Sequence, residues 1–196
     1  YIIFDIETTG FDPYKDKIIE IGAVKLKGRN IIDRFSAFVN PEVPIPEEII
    51  KLTNITDDMV KDAELIDTVL PRFLEFCGDC TMVAHNAKFD VGFLTQKARQ
   101  LELEFLPSVI DTLYWARVLI TDLKRFNLKA LANYFNISLD NHHRAVDDAE
   151  ATASIFIKML NMVLSKGILQ IYEINDTFQN NVQTADTMNT MILVKN

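Results

Sequence analysis

Two carboxylates stand inside one of the most apolar stretches of the chain, Tyr1-Ile2-Ile3-Phe4-Asp5-Ile6-Glu7. The β-branched and aromatic residues predict a strand in the middle of a sheet. A strand's side-chain period of two puts Asp5 and Glu7 on the same face. The spacing alone carries no information. With 28 acidic residues among 196, chance supplies about four acid-x-acid pairs, and such pairs occur at 5/7, 62/64, 102/104 and 148/150. Setting singles out the first, because an uncompensated charge in a sheet core is costly. Asp5 and Glu7 therefore need a partner: a salt bridge, a helix N-terminus or a metal ion.

Residues 1–7, 17–27 and 31–39 are rich in Ile, Val and Phe, and Gly10, Asp12 and Pro13 separate the first two runs. They predict three consecutive strands. A short helix follows Pro44 and Pro46 through Glu47, Ile49 and Leu52. The spacing of Leu70, Phe73, Leu74 and Cys77 predicts a helix over 65–77, stopped by Gly78. Residues 81–84 read as a buried strand, with another short strand near Val109 and Ile110. Further helices are expected at 89–101, 112–120, 128–135 and 147–164, the last ended by Gly167. Three strands followed by alternating helices and short strands predict an α/β fold with a mixed sheet covered by helices on both faces.

Composition bounds the reading. Hydrophobic residues are 48 % and charged residues 24 %, with six glycines and six prolines, which excludes a disordered or collagen-like chain. No apolar run is long enough to span a bilayer, and no basic, apolar leader opens the chain. Cys77 and Cys80 are too few for a disulfide framework and fit a reducing compartment, so the cytoplasm is expected. A net charge of −8 excludes binding by blanket phosphate neutralisation, yet carboxylates that hold divalent cations reverse the local field. The chain opens at Tyr1, without Met and inside an apolar run, which reads as a domain cut from a longer polypeptide. Residues from about 170 to 189 are rich in Asn, Gln, Thr and Asp. We divide the chain into a catalytic unit over 1–166 and an exit segment over 167–196.

Two further clusters have the right chemistry. His85, Asn86 and Asp90 fall where the fourth strand gives way to a helix, the edge at which α/β sheets place their sites. Asp90 also fits as an acid set against the positive end of a helix dipole. His142, His143, Asp147 and Asp148 open the last long helix. A histidine and an aspartate five residues apart would point about 140° away from each other on a helix, so the histidine belongs to the preceding loop. Helix phase then separates the two aspartates. The stripe through Asp148 continues Thr152, Ile155, Met159 and Met162, whereas that through Asp147 continues Ala151, Ser154, Lys158 and Asn161. Asp148 faces inward and Asp147 outward. Cys77-Gly78-Asp79-Cys80 has zinc or redox spacing but no second pair, and reads as structural thiols. Arg117, Lys124, Arg125 and Lys129 fit a phosphate track or a solvated face equally well.

Asp5-Ile6-Glu7-Thr8-Thr9-Gly10, His85-Asn86-Ala87-Lys88-Phe89-Asp90 and His143-Arg144-Ala145-Val146-Asp147-Asp148 resemble, in order, the three motifs of the DEDDh superfamily of 3′→5′ exonucleases. KIIEIGAV at 17–24, LTNIT at 52–56 and IDTL at 110–113 fit the intervening segments, so the resemblance covers about residues 1 to 165. Within that superfamily the chain looks most like the proofreading exonuclease domains of PolC-type bacterial DNA polymerase III α chains. Asn54 stands where relatives usually have Gly; because Asn tolerates a left-handed backbone, the turn is expected to survive.

The resemblance implies a ribonuclease H-like, five-stranded mixed sheet and a metal-dependent 3′→5′ exodeoxyribonuclease. Such an enzyme would act on single-stranded or frayed DNA 3′ ends and release nucleoside 5′-monophosphates. It further implies that Asp5, Glu7, Asp90 and Asp148 hold two Mg²⁺ or Mn²⁺ ions, with Asp5 bridging both, and that His143 takes the proton of the attacking water. Thr8 and Thr9 would line the terminal nucleotide, Phe11 would wedge against the last bases, and Asn86 would contact the substrate; a core aromatic is the other reading of Phe11. The implied partners are a single-stranded DNA 3′ end and polymerase domains of the same parent chain, with the isolated domain a monomer. A DEDDh exoribonuclease and an inactive nuclease fold used for binding are the alternatives. The presence of all four carboxylates and His143 weighs against the second.

Overall fold

The computed structural model describes residues 1–139 and 144–165. Its centre is β1 (Ile2–Thr8), flanked by β2 (Ile18–Lys27) and β4 (Met82–Ala84); β3 (Asn30–Phe38) and β5 (Val109–Asp111) form the edges, in the order β3-β2-β1-β4-β5. β1, β2 and β3 pair antiparallel as a meander, while β4 and β5 run parallel to β1. The mixed sheet expected from the sequence is the sheet that forms, and each predicted strand lies within two residues of its observed place.

Strand alternation sorts β1 between two cores. Ile2, Phe4 and Ile6 pack with Leu70 and Phe73 of α3 (Ile66–Cys77) and Phe93 and Leu94 of α4 (Ala87–Gln100). Ile3 faces the opposite way, into a core with α5 (Thr112–Leu119), α6 (Leu128–Phe135) and α7 (Ala145–Ser165) through Trp115, Leu131, Phe156 and Met159. Asp5 and Glu7 share the face of Ile3, so both carboxylates point toward α7. A smaller core of Ile19, Ile45, Ile49, Ile55 and Val60 gathers α1 (Glu47–Thr53) and the single turn α2 (Asp57–Val60), an element the sequence pattern did not predict.

Two helices begin earlier than their periodicity indicates, both at motif positions. Helix α4 starts at Ala87 because Asn86 takes a left-handed backbone (φ 65°, ψ 47°) and its carbonyl accepts the Phe89 N–H. Helix α7 starts at Ala145, with the Arg144 carbonyl accepting the Asp148 N–H at 2.9 Å. Asn54 closes α1 with φ 58°, the left-handed turn that Asn tolerates. His142, His143, Gly167 and the exit segment lie outside the described residues.

Candidate active site

The C-terminal half of β1, the start of α4 and the first turn of α7 converge on one cleft of about 220 Å³. Asp5, Glu7, Thr8, Phe11, Asn86, Asp90 and Asp148 all line it. The tightest grouping is Asp5, Glu7 and Asp148, which can place one carboxylate oxygen each within 4.8 Å of the others. Asp90 approaches from α4, buried, and its Oδ1 accepts the Ile6 N–H at 3.1 Å. That bond fixes Asp90 against the backbone between the two β1 carboxylates.

So many acids so close cannot all ionise freely. The Asp5 carboxyl is held well above the usual range, first by burial and then by repulsion from Asp90, Glu7, Asp148 and Glu20. Burial, with repulsion from Asp148, Glu20 and Asp90, pushes Glu7 up to about 8, although the nearby Arg144 opposes the shift. Burial also raises Asp90 to about 8 against the pull of its backbone N–H bonds. A cluster that resists its own ionisation gains by holding hard, oxygen-seeking cations. Three converging carboxylate oxygens are the donor set such ions take, so the residues fit the group. The chance pairs 62/64 and 102/104, by contrast, are exposed.

Helix phase is borne out in geometry. Asp148 is 4 % exposed and faces the cleft, while Asp147 lines a separate hollow with Ile137, Ser138 and Glu150. Phe11 is 77 % exposed, which removes the core reading; its ring lies 6.3 Å from that of Phe89 on α4. The loop that carries it is braced from within. The Thr8 hydroxyl donates to the Gly10 carbonyl, and the Asp12 N–H donates to Asp16 Oδ2. Thr9, the other threonine expected at the terminal nucleotide, is buried, and its hydroxyl accepts the Lys17 N–H at 2.9 Å, fastening the two ends of this loop. Asn86 is exposed at the rim, its N–H donating to Asp111 Oδ1, which also caps α5 through the Leu113 N–H.

Some of the cleft was not legible as site. Ile49, Leu52 and Thr53 of α1 and Leu128 of α6 form apolar walls, and their own periodicity marks them only as helix faces. His85 also lines the cleft, with Nδ1 3.0 Å from Thr112 Oγ1, and burial depresses its pKa to about 4, so it stays neutral. Its place in the second motif was the available signal.

The sequence profile described as "Exonuclease" matches residues 2–156. The chain belongs to that exonuclease family. Among relatives of this exonuclease, DNA polymerase III PolC-type of Caldanaerobacter subterraneus subsp. tengcongensis is 50 % identical over 198 residues, covering all of this chain and 14 % of that protein. The PolC-type polymerase of Bacillus subtilis is 47 % identical over 178 residues, covering 90 % of this chain and 12 % of its own length. The chain thus spans about one seventh of such polymerases. Exonuclease X in complex with 5′ overhanging duplex DNA superposes with a TM-score of 0.70 at 29 % identity, covering 89 % of this chain and 97 % of that one. Escherichia coli Exonuclease I with a dT13 oligonucleotide shares the fold, with a TM-score of 0.74 at 18 % identity over 85 % of this chain and 42 % of the other. Exonucleases of this family imply divalent metal ions, and among the described residues Asp5, Glu7 and Asp148 form a group that could hold one.

Proposed function

We propose that this exonuclease removes nucleotides from the 3′ end of single-stranded or frayed DNA, and that it proofreads for polymerase domains on the same parent chain. The observation that carries the reading is the convergence of Asp5, Glu7 and Asp148 within 4.8 Å, beside Asp90, at the bottom of a cleft whose rim bears an exposed phenylalanine. The match of the whole chain to PolC-type polymerases supports DNA as the substrate and a polymerase as the neighbour.

Asp5, Glu7 and Asp148 would hold one Mg²⁺ or Mn²⁺ ion, and Asp5 with Asp90 a second. When bound, such a pair stabilises charge on the attacking and leaving oxygens of a phosphodiester. Thr8 lines the same cleft as the carboxylates, and it and Thr9 would line the terminal nucleotide. Phe11, backed by Phe89, offers an apolar face against which any base can stack, a sequence-tolerant contact suited to proofreading. Asn86 at the rim would hold the strand. His143, by its place in the third motif, would take the proton of the attacking water, and needs to be neutral to do so. We divide the chain functionally at about residue 166, and place the domain as a monomer in the cytoplasm, where the buried Cys77 thiol stays reduced.

The test is release of 5′-monophosphates from single-stranded DNA and RNA, side by side, with Mg²⁺, Mn²⁺ or chelator. Stepwise loss from the DNA 3′ end that stops on chelation is expected. No release from DNA with either cation overturns the reading, and faster loss from RNA transfers it to an exoribonuclease.

A further inference from the structure

Glu20 is fully buried in β2, one strand away from the carboxylate cluster, and has no place in the mechanism above. In the antiparallel register Glu20 sits opposite Glu7 and Gly22 opposite Asp5, and residues so paired share a face of the sheet. Glu20 therefore stands beside the carboxylates on the side that α7 covers. Its charge is fully engaged by one residue and the residue after it. Arg144 Nε donates to both carboxylate oxygens at 3.2 Å, Nη2 donates to Oε1 at 2.9 Å, and the Ala145 N–H donates to Oε2 at 3.0 Å. The guanidinium also lies 5.0 Å from the ring of Phe38, opposite Glu20 on β3.

Arg144 joins two functional residues through its own backbone. Its carbonyl accepts the Asp148 N–H at 2.9 Å, the first hydrogen bond of α7, and its peptide nitrogen is bonded to His143. Glu20 meanwhile supplies an acceptor to an N–H of the first turn, where a helix has no partner of its own and where an anion is favoured. Gly22 lets this turn lie directly on the sheet, since a Cβ there would come 2.1 Å from the Val146 nitrogen. The turn has to hold Asp148 in the crowded group that it forms with Asp5 and Glu7. A forked guanidinium on a carboxylate fixes distance and orientation together, which an ammonium does not.

We propose that Glu20 and Arg144 are positioning residues that clamp the first turn of α7 to β2, setting Asp148 for metal binding. The proposal deepens the functional reading above and rests on it. The test uses the 196-residue chain and the variants Arg144→Ala, Arg144→Lys, Glu20→Gln and the double Glu20→Gln/Arg144→Ala. Three readouts are needed: Mn²⁺ affinity by calorimetry without DNA, kcat and KM on a single-stranded oligonucleotide, and thermal melting.

Each single loss should weaken Mn²⁺ binding and lower kcat by about tenfold or more, the scale seen when a group that orients a ligand is removed. KM for the oligonucleotide should stay within about twofold, and the double variant should be no worse than the weaker single one, because the pair acts as a unit. Arg144→Lys should recover only part of the loss. Unchanged Mn²⁺ affinity and kcat in Arg144→Ala would overturn the proposal, as would full recovery in Arg144→Lys or a defect confined to KM, which would place the guanidinium on DNA. If the alanine and glutamine variants fail to fold, Mn²⁺ affinity in Arg144→Lys decides, unchanged affinity overturning the clamp. A parent chain that binds Mn²⁺ yet leaves DNA intact would sink the nuclease reading while the affinity comparison still judged the clamp.

Discussion

At Asp5, burial and the neighbouring carboxylates raise the carboxyl's pKa above its ordinary range, so its contribution to stability has a definite sign with pH. A carboxyl whose folded pKa is raised binds more protons in the native state, and stability falls as pH climbs from the unfolded value toward the folded one. For Glu7 and Asp90 this window runs from the ordinary carboxylate range up to about 8, and for Asp5 it opens at the same ordinary range and extends upward. Without metal, Asp5→Asn should therefore melt higher than the parent chain, and the gap should be wider at about pH 8 than at about pH 6. Turnover with Mg²⁺ should fall by at least about a hundredfold. A lower melting temperature in Asp5→Asn, or a gap that shrinks as pH rises, would contradict the repulsion argument. The aspartate pair at 147 and 148 gives a second test. Asp148→Asn should lose activity on the same scale as Asp5→Asn, while Asp147→Asn, which lines a different hollow, should stay within about threefold of the parent chain. His143→Ala should lose about two or more orders of magnitude in turnover and flatten the rising limb of the pH profile, with Mn²⁺ affinity nearly unchanged. Loss of Mn²⁺ binding with turnover kept at saturating metal would make the histidine a ligand instead.

At the scale of elements, the site depends on how closely α7 approaches the sheet. Gly22 has no room for a side chain, because its added Cβ would meet the backbone of Ala145 and Val146. Gly22→Ala should cost about 1–3 kcal/mol of stability, the range for overpacking, and should also weaken metal binding, because the helix that shifts carries Asp148. Melting and Mn²⁺ calorimetry on that variant check both halves; a destabilised variant with intact Mn²⁺ affinity would show that Asp148 reaches the cluster whatever the helix does. Elements also explain the boundaries that periodicity misplaced. Apolar spacing records the faces of α4 and α7 that meet the sheet, but their starts are fixed by backbone bonds from Asn86 and Arg144. Those bonds leave no mark on hydrophobic pattern.

For the molecule as a whole, metal and fold are coupled, since a cation that binds the native cluster and not the unfolded chain stabilises by mass action. Mn²⁺ at about a hundred times its dissociation constant should add about 3 kcal/mol, abolished by chelator, and Asp5→Asn should show much less of it. Equal metal-induced shifts in melting temperature for the parent chain and Asp5→Asn would place the ion elsewhere. The same global view shows how far local pattern reaches. Strand order along the chain, the shared face of Asp5 and Glu7, the inward turn of Asp148 and the left-handed turn at Asn54 all follow from periods of 2 and 3.6 and from backbone preference, which are properties of a few neighbouring residues. The residues that came together from distant segments were decided only in three dimensions. Glu20 met Arg144 across 124 positions because antiparallel pairing set it beside Glu7 and Gly22 let α7 descend onto the sheet. Phe11 stands exposed and Thr9 buried within one loop that its own hydrogen bonds brace. Sequence determines which side chains an element can present, because that depends on local geometry; which of them share a cleft depends on packing between elements, and only the tertiary fold supplies it.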